Sequence, residues 1–143
     1  MATVIKIKNL EEGYQSIITN GTNVIIGDQP LKSKGTGLGF GPSELVLSGL
    51  AMCKVATIRY VATQKAWDIG EVRAELSQDS SRGDHGLISN IKVSIEIEGD
   101  ITEEQRQELF KQADNCHVHR QLNGEWNIEP ATQISEIKIE AEK

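Results

Sequence analysis

Aromatic residues are scarce: two Trp, two Tyr and two Phe among 143 residues, 4% of the chain. Base-stacking platforms for single-stranded nucleic acid need several such rings on one surface. Basic charge is also short, with 15 Lys and Arg against 21 Asp and Glu and a formal charge of −6. That balance offers no footprint for a phosphate backbone or an anionic lipid surface, so no nucleic-acid partner is expected. Cysteine occurs twice, too few for a secreted disulfide framework, and Cys53 and Cys116 form no C-x-x-C pair of the zinc or thioredoxin kind. The first ten residues lack the basic and continuous apolar segments of a secretory leader, and no unbroken apolar run approaches the ~18 residues of a membrane span. No membrane is expected as a partner, and a reducing, cytoplasmic setting is the expected location.

What is present is an ordinary core composition, 38% hydrophobic with 13 Gly. A chain of this length removes roughly two-thirds of its unfolded surface from water, so one domain over residues 1–143 can hold a core without disulfides or a structural metal. Period-2 alternation marks strands with one buried face. It appears at Ile5 and Ile7, at Val72, Ala74 and Leu76, at Ile137 and Ile139, and most clearly from Ile91 to Ile97, where Ile91, Val93, Ile95 and Ile97 share a face opposite Lys92, Ser94 and Glu96. Near the start, two short strands flank Asn20-Gly21-Thr22-Asn23, where Asn-Gly supplies the positive φ angles of a tight hairpin turn. The chain is expected to open as an antiparallel meander.

From Pro42 to about Lys65 the pattern becomes helical, with Pro42 at the first helical position. Its first half, Leu45 to Cys53, is apolar almost all the way round, which predicts a helix packed on several sides. One small sheet and a short helix do not cover such a surface, so a second subunit is expected to complete the burial. A second helix starts at Thr102, whose hydroxyl caps while Gln105 reciprocates, and it turns Leu109, Phe110 and Ala113 to the core. Cys116 to Leu122 reads as a further short helix ended by Asn123-Gly124. The class is α+β, antiparallel sheets around a long central helix.

The stretch Gly35-Thr36-Gly37-Leu38-Gly39-Phe40-Gly41 invites a phosphate-loop reading, but it lacks the Gly-Lys-Ser/Thr ending of a P-loop and follows no clear strand. A flexible loop bordering a site at the helix start is the better reading. Cys53, in the middle of the apolar helix, reads by itself as a small apolar filler. Cys116 opens the cluster Cys116-His117-Val118-His119-Arg120. Two distant intracellular cysteines can form a peroxidase pair, one becoming a sulfenic acid and the other condensing with it to a disulfide. The attacking thiolate then needs a nearby cation or other anion-stabilising group. The same cluster contains metal-ligand types, but His117 and His119 at i and i+2 face different ways on a helix. Neither a metal nor a cofactor is expected; the histidines are expected to face solvent at the mouth of a cleft, and His85 reads as a loop residue.

The run Gly41-Pro42-Ser43-Glu44-Leu45-Val46-Leu47-Ser48-Gly49-Leu50-Ala51-Met52-Cys53 resembles the central helix of the OsmC/Ohr family, the osmotically inducible and organic hydroperoxide resistance proteins. Cys116-His117-Val118-His119-Arg120-Gln121-Leu122 is similar to that family's second-cysteine motif, and the order of elements fits along nearly the whole chain. The resemblance implies an OsmC-like fold built as an intertwined homodimer with two interface sites. It implies a cysteine-based peroxidase in which Cys53 attacks a hydroperoxide, Cys116 resolves the sulfenic acid, and a small or protein-bound dithiol reduces the disulfide.

The sequence departs from that pattern at two places. Peroxidases of the family typically carry a glutamate directly after the helix-start proline, where it holds an arginine against the thiolate; here Ser43 stands there. Glu44 is displaced by about 180° in azimuth from Cys53, whereas Ser43 is displaced by roughly 80°. The first arginine is Arg59, which leaves Lys32, Lys34 and Arg120 as candidate thiolate-stabilising cations, with Phe40, Ser43, Glu44 and His117 as candidate site-lining residues. The alternative function is a non-catalytic dimer that binds a small apolar ligand or a partner in the interface cleft.

Overall fold

The computed structural model describes residues 2–134; the strand expected at Ile137 and Ile139 lies outside the described residues. The described residues divide into two compact units, one formed by 2–45 with 127–134, the other by Val46–Trp126.

In the first unit, β1 (Lys6–Asn9), β2 (Ser16–Thr19) and β3 (Val24–Gly27) form an antiparallel sheet in the order β1-β2-β3. This is the expected meander. The Asn20 side chain accepts from the backbone N–H groups of Thr22 and Asn23, at 2.9 and 2.7 Å, and Gly21 takes a φ of 99°. Beyond β3 the glycine-rich segment is tied down by a carboxylate. Buried Asp28 accepts from the Thr36 hydroxyl at 2.5 Å and from the backbone N–H groups of Gln29 and Leu38 at 2.7 and 3.0 Å. These bonds to the charged form hold the Asp28 carboxyl down at about 2, the Thr36 hydroxyl contributing most. Gly35 packs on the Gln29 backbone and Gly39 on the Ile26 backbone so closely that a Cβ at either position would collide. The glycines therefore serve close backbone approach, which replaces the expected flexible loop with a clamped one.

The long helix α1 (Pro42–Gln64) starts in the first unit and continues through the second. Gly41 donates its N–H to the Glu44 carboxylate at 2.8 Å, the side-chain-to-cap half of a capping box. Within this single chain α1 buries one stripe, Leu50, Lys54, Ile58 and Ala62, spaced by one helical turn, while Met52 is 73% exposed and Val46 and Tyr60 are also exposed. By length and composition α1 is long and apolar enough to cross a membrane. Polar residues, Lys54 and Arg59 among them, interrupt it, so no apolar run within it is unbroken over that length. A core helix passes the same test.

In the second unit, β4 (Val72–Gly83) and β5 (Gly86–Ile97) form a long antiparallel hairpin that pairs Val72 with Ile97 and Gly83 with Gly86. His85 sits in its turn. Then follow α2 (Glu103–Ala113) and α3 (His117–Leu122). Thr102 and Gln105 form the expected reciprocal capping box. The core joins Ile58 and Ala62 of α1, Ile69, Ile97 of β5, and Leu109 and Ala113 of α2, with Phe110 and Trp67 packed against it. Burying the stripe of α1 against α2 brings the middle of α1 to the α2–α3 connection.

Candidate functional site

That crossing brings the two thiols together. Cys116 is the N-cap of α3 and only 2% exposed, whereas Cys53 of α1 is half-buried, and both are free. The Cys53 sulfur accepts the backbone N–H of Val118, two residues after Cys116, at 3.4 Å. Burial pushes the Cys116 thiol above its ordinary value. The backbone N–H of His119 opposes this, the adjacent Cys53 adds to it, and the positive charge of Lys54 pulls it back down.

Lys54 is the residue that sequence reasoning missed. It follows Cys53 directly, is 1% exposed, and is the only buried lysine or arginine among the described residues. Its Nζ donates to the Ala113 carbonyl at the end of α2, at 3.0 Å, and meets His119 Nδ1 at 2.9 Å. No carboxylate pairs with it among the described residues. Burying an ammonium costs several kcal/mol unless it is well hydrogen-bonded, and the helix C-terminal carbonyl and the ring nitrogen supply that compensation. A visible signal existed: Lys54 falls on the stripe Leu50–Lys54–Ile58–Ala62, where a charged residue at core spacing is anomalous. His119 consequently turns inward, which corrects the expectation of two solvent-facing histidines. His117 is exposed, as expected for it.

Lys32 lies in the short 3-10 turn Leu31–Ser33 and Lys34 just after it, both exposed in the first unit. Arg120 is exposed on α3, and Ser43 is exposed on the first turn of α1. Glu44 is engaged with the Gly41 N–H. Phe40 is exposed and its carbonyl accepts from Asp28 N–H at 3.0 Å. A cleft of about 220 Å3 is lined by Leu50 and Lys54 of α1, Ser89, Ile91 and Val93 of β5, His119 and Leu122 of α3, and Asn123. Among the described residues no group of three or more His, Cys, Asp or Glu is placed to hold a metal ion.

An α+β fold in which the sulfur of a half-buried helix cysteine is bonded to the first turn of a second helix, itself capped by a buried cysteine, defines a dithiol protein. This chain belongs to the OsmC-like family, whose family model, described as OsmC-like protein, matches residues 35–131, well over half of it. Its fold is similar to that of the OsmC-like protein from Mycoplasma pneumoniae, at 25% identity and a TM-score of 0.71, covering 87% of this chain and 89% of that one. An osmotic stress induced and detoxification response protein from Psychrobacter arcticus matches at 21% identity and a TM-score of 0.71, over 85% and 88% of the two chains. An organic hydroperoxide resistance protein OsmC from Legionella pneumophila matches at 19% identity and a TM-score of 0.66, over 87% and 90%. No protein of curated function matches at significant similarity.

Proposed function

We propose that this protein is a thiol-dependent peroxidase that reduces hydroperoxides, organic ones foremost, as a homodimer in the reducing cytoplasm. The observation that carries this reading is the Cys53 sulfur of α1 at 3.4 Å from the Val118 N–H, two residues after Cys116 in the helix that Cys116 caps. Cys53, more exposed and receiving the Val118 N–H, is the attacking sulfur. Its thiolate displaces the alcohol oxygen from the hydroperoxide, the O–O bond breaks, and Cys53 becomes a sulfenic acid while the leaving alkoxide takes a proton. Cys116 then attacks the sulfenic sulfur, water leaves, and the disulfide forms. A dithiol, small or protein-bound, returns both cysteines to thiols and is itself oxidised to a disulfide. The exposed apolar residues of α1, Val46, Met52 and Tyr60, support a second subunit on that helix, as the family resemblance implies.

The test is stoichiometric treatment with an organic hydroperoxide followed by intact mass and thiol counting. The expected result is loss of two thiols per chain, and in Cys116→Ser a sulfenic acid on Cys53 trapped by dimedone. Unchanged thiols in the parent, or Cys53→Ser consuming peroxide like the parent, overturns the reading.

A second reading, a non-catalytic dimer that binds a small apolar ligand, is favoured by the Leu50, Ile91, Val93 and Leu122 side of the cleft and by Ser43 in place of the family's glutamate. Under it, peroxide leaves the thiol count unchanged.

A further inference from the structure

Lys54 and the buried cysteine share an acceptor. The Ala113 carbonyl accepts from Lys54 Nζ at 3.0 Å and also from the Cys116 backbone N–H at 3.4 Å. His119 Nδ1 lies 2.9 Å from Lys54 Nζ, and the Arg120 N–H donates to the Cys116 carbonyl at 3.1 Å, which continues the first turn of α3 from that cap. With an ammonium as donor, Nδ1 is the acceptor and the His119 proton sits on Nε2. Ala113 and His119, each three residues from Cys116, thus hold the Lys54 charge at the start of the helix that Cys116 caps. Access is unequal in the opposite sense: Cys53 is half-buried, while Cys116 is closed off.

We propose that Lys54 is a positioning residue for the reductive half of the cycle, whose charge receives the Cys116 thiolate each time the Cys53–Cys116 disulfide is opened. The inference rests on the peroxidase reading for its place in a cycle. A thiolate of the dithiol reductant attacks Cys53 Sγ, the more reachable sulfur. The S–S bond breaks and its electron pair leaves on Cys116 as a thiolate. The second thiol of the reductant, deprotonated, attacks the mixed disulfide and releases Cys53, so the reductant ends as a disulfide and the protein gains two electrons. Disulfides open faster when the departing thiol is more acidic, and a thiolate left in a dry site without a cation is strongly disfavoured. A buried ammonium fixed by two acceptors meets that need without reorganising. It also accounts for a lysine at a core-facing position of α1, where an apolar residue would otherwise continue the stripe. Lys32, Lys34 and Arg120 are all exposed and are not required for it.

The test uses the full-length protein with its disulfide made by diamide, so that no hydroperoxide is involved. Single-turnover reduction by dithiothreitol is followed in the parent, Lys54→Met and Lys54→Arg. The expected result is a rate at least about tenfold lower in Lys54→Met and within about threefold of the parent in Lys54→Arg, because charge rather than volume is what the leaving thiolate needs. Equal rates in the parent and Lys54→Met overturn the inference. So does a Lys54→Arg rate as low as that of Lys54→Met, which marks a purely structural role. Should Lys54→Met not fold, the parent still decides the direction of opening: partial reduction with a monothiol, then peptide mass mapping, must place the adduct on Cys53, and an adduct on Cys116 refutes the scheme. A parent that ignores hydroperoxide yet shows the Lys54 dependence retains this inference and loses the peroxidase reading. A parent oxidised normally whose Lys54→Met variant opens at the parent rate retains the peroxidase reading alone.

Discussion

Leu109→Ala probes the link between core and site. Leu109 is 0% exposed in the cluster with Ile58, Ala62, Ile69, Ile97 and Ala113. Truncating a fully buried leucine removes its transfer free energy and leaves a cavity, together 2–5 kcal/mol and about 3 kcal/mol for an average site. An unfolding entropy of about 2.1 cal/mol/K per residue, over 143 residues, gives roughly 0.3 kcal/mol/K, so the melting temperature should fall by about 10 °C. Calorimetry or circular dichroism at equal protomer concentration is the assay, because self-association would make the midpoint concentration-dependent. The consequence reaches the thiols: Leu109 stands one turn before Ala113 in α2, and the Ala113 carbonyl holds both Lys54 and the Cys116 N–H. Diamide-driven disulfide formation should therefore slow by roughly tenfold or more as the two sulfurs lose their alignment. A melting shift under about 3 °C, corresponding to about 1 kcal/mol, together with an unchanged rate of disulfide formation, would refute the reasoning.

The Asp28 carboxyl, held at about 2 by the Thr36 hydroxyl and neighbouring N–H groups, lies below its unfolded value of about 3.9. Its contribution to stability is complete above the unfolded value and disappears as pH falls through the folded one; the Thr36 and Leu38 amide resonances should titrate near pH 2, and a midpoint at or above about 3.9 removes the clamp from the account. For Cys116, burial raises the folded value, so its contribution is complete below the unfolded thiol value and declines as pH rises through the folded one. In Cys53→Ala, alkylation of Cys116 should reach half its maximal rate above the free thiol's roughly 8.5, while urea-unfolded protein reacts at the ordinary value; a half-maximum below it contradicts desolvation as the leading cause.

Much of the local structure was legible because it depends on neighbours in sequence. The Asn20-Gly21 hairpin, the Thr102–Gln105 capping box, the alternation from Ile91 to Ile97 and the Pro42 helix start each need only a few adjacent residues to form. The two cysteine motifs likewise pointed to the OsmC-like fold. The role of the glycine-rich stretch was less legible, since the contacts that require Gly35 and Gly39 come from the Gln29 and Ile26 backbones, and nothing within the stretch itself announces them.

The sequence by itself determined the element types, the opening hairpin at Asn20-Gly21 and the presence of two thiols in family motifs. Only the tertiary structure decided that Lys54 is buried and bonded to the Ala113 carbonyl, and that His119 turns inward to meet it. The reason is physical. Lys54 is buried by the packing of α1 against α2, its acceptors come from the end of α2 and from α3, and a charge is acceptable there only once those distant groups have arrived.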